Sequence, residues 1–161
     1  MSYVGTDKPV GCIFCVKPAE GRDAENLILT RAARAYVLLN LYPYNSGHLM
    51  VVPYLHTGDL STLPADIGAE VLSLTQKSLA ALTSEYRPQG FNVGVNLGEV
   101  AGGSVSAHLH FHVVPRWAGD TNFMPVTADT KVLPETLDQT YRRLRPYFTS
   151  LEQGSLPEGE A

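Results

Sequence analysis

The strongest pattern in the chain is strict alternation over residues 108–114, His-Leu-His-Phe-His-Val-Val. Successive side chains of a strand point to opposite faces. Leu109, Phe111 and Val113 are therefore expected to share a core-facing side, and His108, His110 and His112 the other. Residues 36–40, 48–53 and 91–96 also read as strands, being rich in β-formers and bounded by turn residues. The turn 42–47, Tyr-Pro-Tyr-Asn-Ser-Gly, joins the first two into an antiparallel pair. Pro53 and Pro115 are expected to stop the strands that precede them.

Residues 64–86 show helical spacing, with Ile67, Val71, Leu74, Leu82 and Tyr86 on one face. Ser61 or Thr62 is the expected cap and Pro64 lies near the first turn. Leu72 and Leu79 fall off the main face and suggest a second apolar stripe, suited to a partner copy. A last helix is expected from Pro134 to about Arg145, with Leu137, Tyr141 and Leu144 on one side. The order strand, strand, helix, strand, strand, helix predicts an α+β domain with a mainly antiparallel sheet and two helices. Residues 1–11 read as an arm, 12–148 as the domain and 149–161 as an acidic flexible tail.

Composition narrows the function. With 161 residues, 44% hydrophobic and 17% charged, the chain is expected to form one domain with its own core rather than a disordered segment. No apolar run reaches the ~20 residues of a membrane span, and the N-terminus lacks a signal-peptide pattern. A cytoplasmic protein with no membrane partner is expected. Of the net charge of −4, Glu152, Glu158 and Glu160 account for most, which leaves the body nearly neutral. A nucleic-acid backbone needs a basic face, so no nucleic-acid partner is expected. A small phosphate-bearing ligand, which backbone N–H groups alone can hold, stays open.

Three imidazoles spaced ~6.5–7 Å along one strand face lower each other's proton affinity. At least one is then neutral near pH 7 and competent as a nucleophile or base. The same face also suits a metal, with His48 or His56 as a further ligand. The glycine-rich loop 98–104 lacks the Gly-Lys-Ser/Thr ending of a P-loop. Gly102 and Gly103 permit positive φ, however, so its N–H groups and the Ser104 hydroxyl can cradle an anion. Cys12 and Cys15, the only cysteines, suit a redox pair or half of a zinc knuckle, whose other ligands must then be histidines. Trp117 suits either a nucleotide path or an oligomer interface.

The segment His108-Leu109-His110-Phe111-His112-Val113-Val114 resembles the signature of the histidine-triad (HIT) family, His-φ-His-φ-His-φ-φ with φ apolar. The resemblance extends through residues 40–53, 96–104 and 114–120 and covers about 12–148. It implies cleavage or transfer at the α-phosphate of a nucleotide, in which His110 attacks phosphorus and is nucleotidylated. His112 would hydrogen-bond the phosphate or bridging oxygen, and His108 completes the triad. The resemblance also implies that Asn40 contacts ribose and that Asn96, Gly103 and Ser104 contact phosphate. It implies a structural zinc on Cys12, Cys15, His56 and His108, and pairing into homodimers or larger assemblies. His48, outside that set and following Gly47 at a strand start, reads as structural.

Within the family, residues 42–45 and 96–104 are most similar to the diadenosine-polyphosphate group, especially actinobacterial diadenosine tetraphosphate phosphorylases. Many phosphorylases carry glutamine where this chain keeps His112, so water and phosphate both remain possible acceptors. The phosphoramidate-cleaving Hint branch, a metal-dependent hydrolase using the three histidines directly, and a non-catalytic zinc-stabilised nucleotide-binding module are the alternatives.

Overall fold

The computed structural model describes residues 11–102, 105–120 and 134–152. Its elements are α1 (Ile13–Ala19), β1 (Ile28–Arg31), β2 (Ala35–Leu39), β3 (Leu49–Pro53), α2 (Ala65–Tyr86), β4 (Gly90–Val95), β5 (Phe111–Arg116) and α3 (Leu137–Glu152). The strands form one five-stranded sheet in the order β1-β2-β3-β5-β4, and every pairing is antiparallel. The α+β architecture is as expected, with three α-helices among the described residues rather than two. α1 has only seven residues and a proline inside. β1 has four, with an irregular register against β2. Both are too short to leave a periodic signal in the sequence.

β2 and β3 are buried along their whole length, because this part of the sheet is covered on both sides. On one side Val37, Leu39, Leu49, Val51 and Val113 pack with Val71, Leu74 and Leu82 of α2 and with Leu144 and Phe148 of α3. On the other, Tyr36, Leu38, Met50 and Val52 meet Phe14 of α1. The parity of each strand sorts its residues between these clusters. His112 pairs across the ladder with Met50 and falls on the α1 side.

Several element boundaries differ from expectation. Asp59 caps a short 3-10 turn at Leu60–Thr62, so α2 begins only at Ala65, after Pro64. The polar residues on its buried face, Thr75 and Ser78, bond the carbonyls of Val71 and Leu74 four residues back. Leu79 packs on the same core as the main stripe, whereas Leu72 stands 61% exposed, so the two do not form a second stripe. α3 starts after a capping box formed by Thr136 and Gln139, not at Pro134. It runs to Glu152 and takes in the first residues of the segment expected as tail. Pro115 does not stop β5: β3 pairs with β5 only between Leu49↔Val113 and Val51↔Phe111, so at Pro115 no β3 partner needs its missing N–H. Residues 1–10 of the arm and 153–161 of the tail lie outside the described residues.

Candidate active site and metal centre

Two segments bring the histidines together. β5 supplies His112, and the irregular stretch before it supplies His108 and His110. The β5 ladder begins at Phe111 rather than His108, because Leu109 N–H goes instead to the Thr57 carbonyl at 2.7 Å. The alternation still holds in this stretch: Leu109 is buried, and His108 and His110 turn to the α1 side. That side is covered by α1. The Phe14 ring lies 5.5 Å from the His108 ring and 4.9 Å from that of His110. The Tyr36 hydroxyl donates to the Phe14 carbonyl and ties α1 down on the sheet.

The hydrogen bonds assign the protons. His110 Nδ1 lies 2.8 Å from the His108 carbonyl. A carbonyl only accepts, so His110 carries its hydrogen on Nδ1 and its lone pair on Nε2. His48 Nδ1 accepts the Tyr44 backbone N–H at 3.0 Å, so neutral His48 carries its hydrogen on Nε2. That hydrogen is donated to His112 Nδ1, 2.9 Å away. His112 is left with an N–H at Nε2, which is buried and has no hydrogen-bond partner among the described residues. Burial first, and then the His110 charge, push the His112 pKa down to about 4, so the ring is neutral at physiological pH. The His110 and His112 rings are 5.0 Å apart. The site thus pairs an imidazole lone pair with an adjacent imidazole N–H donor, a set suited to attack on phosphorus with support for the departing charge.

His48, expected to be structural, belongs to this network and is 1% exposed. Its sequence signal was faint: a single histidine after a glycine at a strand start. That glycine, Gly47, has φ +76°, and a Cβ there would come 2.9 Å from Leu82 Cδ2. Only glycine therefore lets the turn pass over α2. Asn40 lies at the same place, its Nδ2 3.4 Å from His48 Nδ1 and its Oδ1 accepting Tyr42 N–H at 3.0 Å.

Asn96 follows Val95, the ladder partner of Phe111, at the end of β4 nearest His110. Gly98 and Gly102 adopt positive φ on either side of a 3-10 turn. Gly103 and Ser104 lie outside the described residues. Trp117 stands edge-on to Tyr86 of α2 at 6.5 Å, beside the helix-covered side rather than among the histidines.

A second cluster adjoins the first. Cys12, Cys15, His56 and His108 offer ligand atoms all within 4.8 Å of one another. His108 Nε2–H donates to the Pro53 carbonyl at 2.9 Å, which turns the Nδ1 lone pair toward the other three. That Nδ1 lies 3.3 Å from Cys12 Sγ, 3.5 Å from Cys15 Sγ and 3.2 Å from His56 Nδ1, and His56 Nδ1 lies 3.4 Å from Cys15 Sγ. The edges of a zinc tetrahedron with usual Zn–S and Zn–N bonds are roughly 3.3–3.8 Å. Two thiols and two imidazole lone pairs at such separations fit zinc in both chemistry and size. Burial and the nearby Cys12 push the Cys15 thiol above its ordinary pKa, and burial pushes His108 below its own. A divalent cation reverses the penalty on the thiols. His108 joins the two clusters, its ring in one and its carbonyl on His110 in the other.

The family profile described as HIT domain matches residues 22–119. The chain belongs to the HIT family. It is 50% identical over 122 residues to the AP-4-A phosphorylase of Mycobacterium tuberculosis, covering 76% of this chain and 63% of that protein. It is 32% identical over 107 residues to an adenosine 5'-monophosphoramidase of Schizosaccharomyces pombe, covering 66% of this chain and 75% of that protein. Among solved structures it resembles a zinc-bound histidine triad family protein from Mycobacterium smegmatis. That likeness has a TM-score of 0.69 and 25% identity over 90% of this chain and 98% of that one.

Proposed function

We propose that this HIT protein is an enzyme that cleaves dinucleoside polyphosphates such as diadenosine tetraphosphate through a nucleotidyl-histidine on His110. In the first half-reaction the His110 Nε2 lone pair forms a bond to the α-phosphorus. The bond from phosphorus to the bridging oxygen breaks, and its electron pair leaves with the departing nucleotide. The positive charge that develops on the His110 ring is met by the His108 carbonyl at Nδ1–H. The departing oxygen is met by His112 Nε2–H. In the second half-reaction an acceptor oxygen, from water or inorganic phosphate, displaces His110 and releases the nucleotide. Asn40 is assigned to the ribose, and Asn96, Gly103 and Ser104 to the phosphates.

The observation that carries this reading is the complementary protonation of His110 and His112, set by a backbone carbonyl on one side and by His48 on the other. The AP-4-A phosphorylase relative supports the substrate class. The monophosphoramidase relative supports cleavage of a phosphorus–nitrogen bond by the same nucleophile as a second reading.

Zinc is assigned to Cys12, Cys15, His56 and His108. When bound it would supply a crosslink between α1, the segment after β3 and the stretch before β5. The free thiol pair suits a reducing cytoplasm. No helix among the described residues is long and apolar enough to cross a membrane. We also assign a homodimer, formed at the edge of β4 that pairs with no strand among the described residues. Val93 there is 50% exposed, and Leu97 and Val100 just beyond it are 45% and 104% exposed.

Product analysis tests the chemistry. Diadenosine tetraphosphate is incubated with and without inorganic phosphate, and the quenched enzyme is weighed by mass spectrometry. ADP plus ATP marks phosphorolysis and AMP plus ATP marks hydrolysis. Either outcome should come with an adenylyl adduct that His110→Ala abolishes. Turnover without any such adduct, or its survival in His110→Ala, rejects the covalent route.

A further inference from the structure

The turn between β2 and β3 places an aromatic ring over the histidine pair. Tyr44 is 52% exposed, yet one face of its ring is committed. It lies 4.7 Å from the His48 ring and 5.8 Å from the His112 ring, tilted only 25° from the latter. The ring thus covers the hydrogen bond between His48 and His112. The placement is not that of a loose loop. Asn45 Nδ2 donates to Asp120 at 2.9 Å and to the Pro115 carbonyl at 3.2 Å, and Asn40 N–H donates to the His48 carbonyl at 3.0 Å. These contacts hold the turn without using the Tyr44 side chain.

We propose that Tyr44 is a positioning residue, whose ring seals the His48–His112 hydrogen bond from water and keeps His112 Nε2–H aimed at the departing oxygen of the substrate. This rests on the reading of His112 given above. The physical reason has two parts. A hydrogen bond between two neutral imidazoles survives as a preferred contact only where water does not compete for Nδ1. A ring stacked nearly parallel to His112 also blocks rotation about its Cβ–Cγ bond. Such a rotation exchanges the positions of Nδ1 and Cδ2, breaks the bond to His48 and swings Nε2–H away from its mark. A donor aimed where charge develops is effective only while it stays aimed. The neighbouring phosphoramidate and dinucleotide chemistries both depend on that charge, so the seal serves either.

Two AMP esters that differ only in the leaving group test this. Phenol departs with more need of a hydrogen-bond donor than 4-nitrophenol. Tyr44→Ala should lower kcat on the phenyl ester about tenfold more than on the 4-nitrophenyl ester, a part of the effect of losing a donor outright. Tyr44→Phe keeps the ring and should keep the wild-type ratio. Equal losses on both esters, an unchanged ratio in Tyr44→Ala, or a ratio not kept by Tyr44→Phe would overturn the proposal.

A second measurement needs no turnover. The His48 Nε2–H proton should give a resolved imidazole N–H signal in water in wild type and in Tyr44→Phe, and Tyr44→Ala should lose it to solvent exchange. Its persistence in Tyr44→Ala also overturns the proposal. A wild-type protein that cleaves neither ester counts against the proposed function, and the exchange measurement then decides the seal by itself.

Discussion

Replacing His48 is the most exacting test of the proton assignments. His48→Ala removes a ring that is 1% exposed. It strands the partners of two part-buried hydrogen bonds, the Tyr44 N–H at 3.0 Å and His112 Nδ1 at 2.9 Å. Unpaired polar groups and a residual cavity together should cost about 2–4 kcal/mol. For a chain of this size that lowers Tm by roughly 5–15 °C, so kinetics at 25 °C still report on folded enzyme. The activity loss has a separate origin. A net preference of about 1 kcal/mol for the Nδ1-accepting tautomer of His112 disappears, and the ring loses its anchor. We expect kcat on diadenosine tetraphosphate to fall on the order of tenfold to a hundredfold, below the full effect of removing a donor. The decisive assay is the double-mutant cycle with His112→Ala. If His48 acts only through His112, the double variant matches His112→Ala within about twofold. Independent, multiplying losses would refute the relay and leave His48 as a packing residue.

Purified protein should carry close to one zinc per chain, and Cys12→Ser should lower metal content and Tm together, because metal binding is coupled to folding; metal-free protein of unchanged Tm contradicts the assignment. His112 is held at a pKa of about 4 in the folded chain against 6.5 for a free imidazole, so the unfolded state binds more protons between these values. Stability should therefore fall as pH drops from about 6.5 toward 4, by up to roughly 3 kcal/mol from this group, and His112→Asn should flatten that part of a urea-denaturation profile. A methyl at Gly58 would collide with the Ser106 carbonyl oxygen, a backbone atom just before His108. Gly58→Ala is accordingly expected to weaken zinc retention and lower Tm by several degrees, and a variant with both at wild-type level rejects that packing argument. Val93→Lys on the β4 edge should give monomers by light scattering, whereas charging Leu72 should leave the mass unchanged.

What the sequence determined by itself was mostly local. Alternation over residues 108–114 sorted histidines from core residues, because side-chain direction along an extended chain follows parity alone. Residues 64–86 carried enough helical turns for their apolar face to show. The two cysteines three apart, with no others in the chain, required histidines as any further zinc ligands. The resemblance to the HIT family then named His56 and His108, which the structure brings beside the cysteines.

Other features were decided by tertiary contacts. α1 and β1 are too short to hold their shape by propensity, and they form because Phe14 and Ile28 pack on the second face of the sheet. That packing is also what buries the histidine side, whose cover the pattern alone does not reveal. The start of β5 at Phe111 depends on Thr57 capturing the Leu109 N–H, a contact between segments over fifty residues apart. His48 and Tyr44 acquire their place only when β3 pairs with β5 and lays the turn against His112. A lone histidine or tyrosine in a turn has no period and no spacing partner to announce it. Its chemistry is set by which nitrogen meets which donor, and only the folded chain makes that choice.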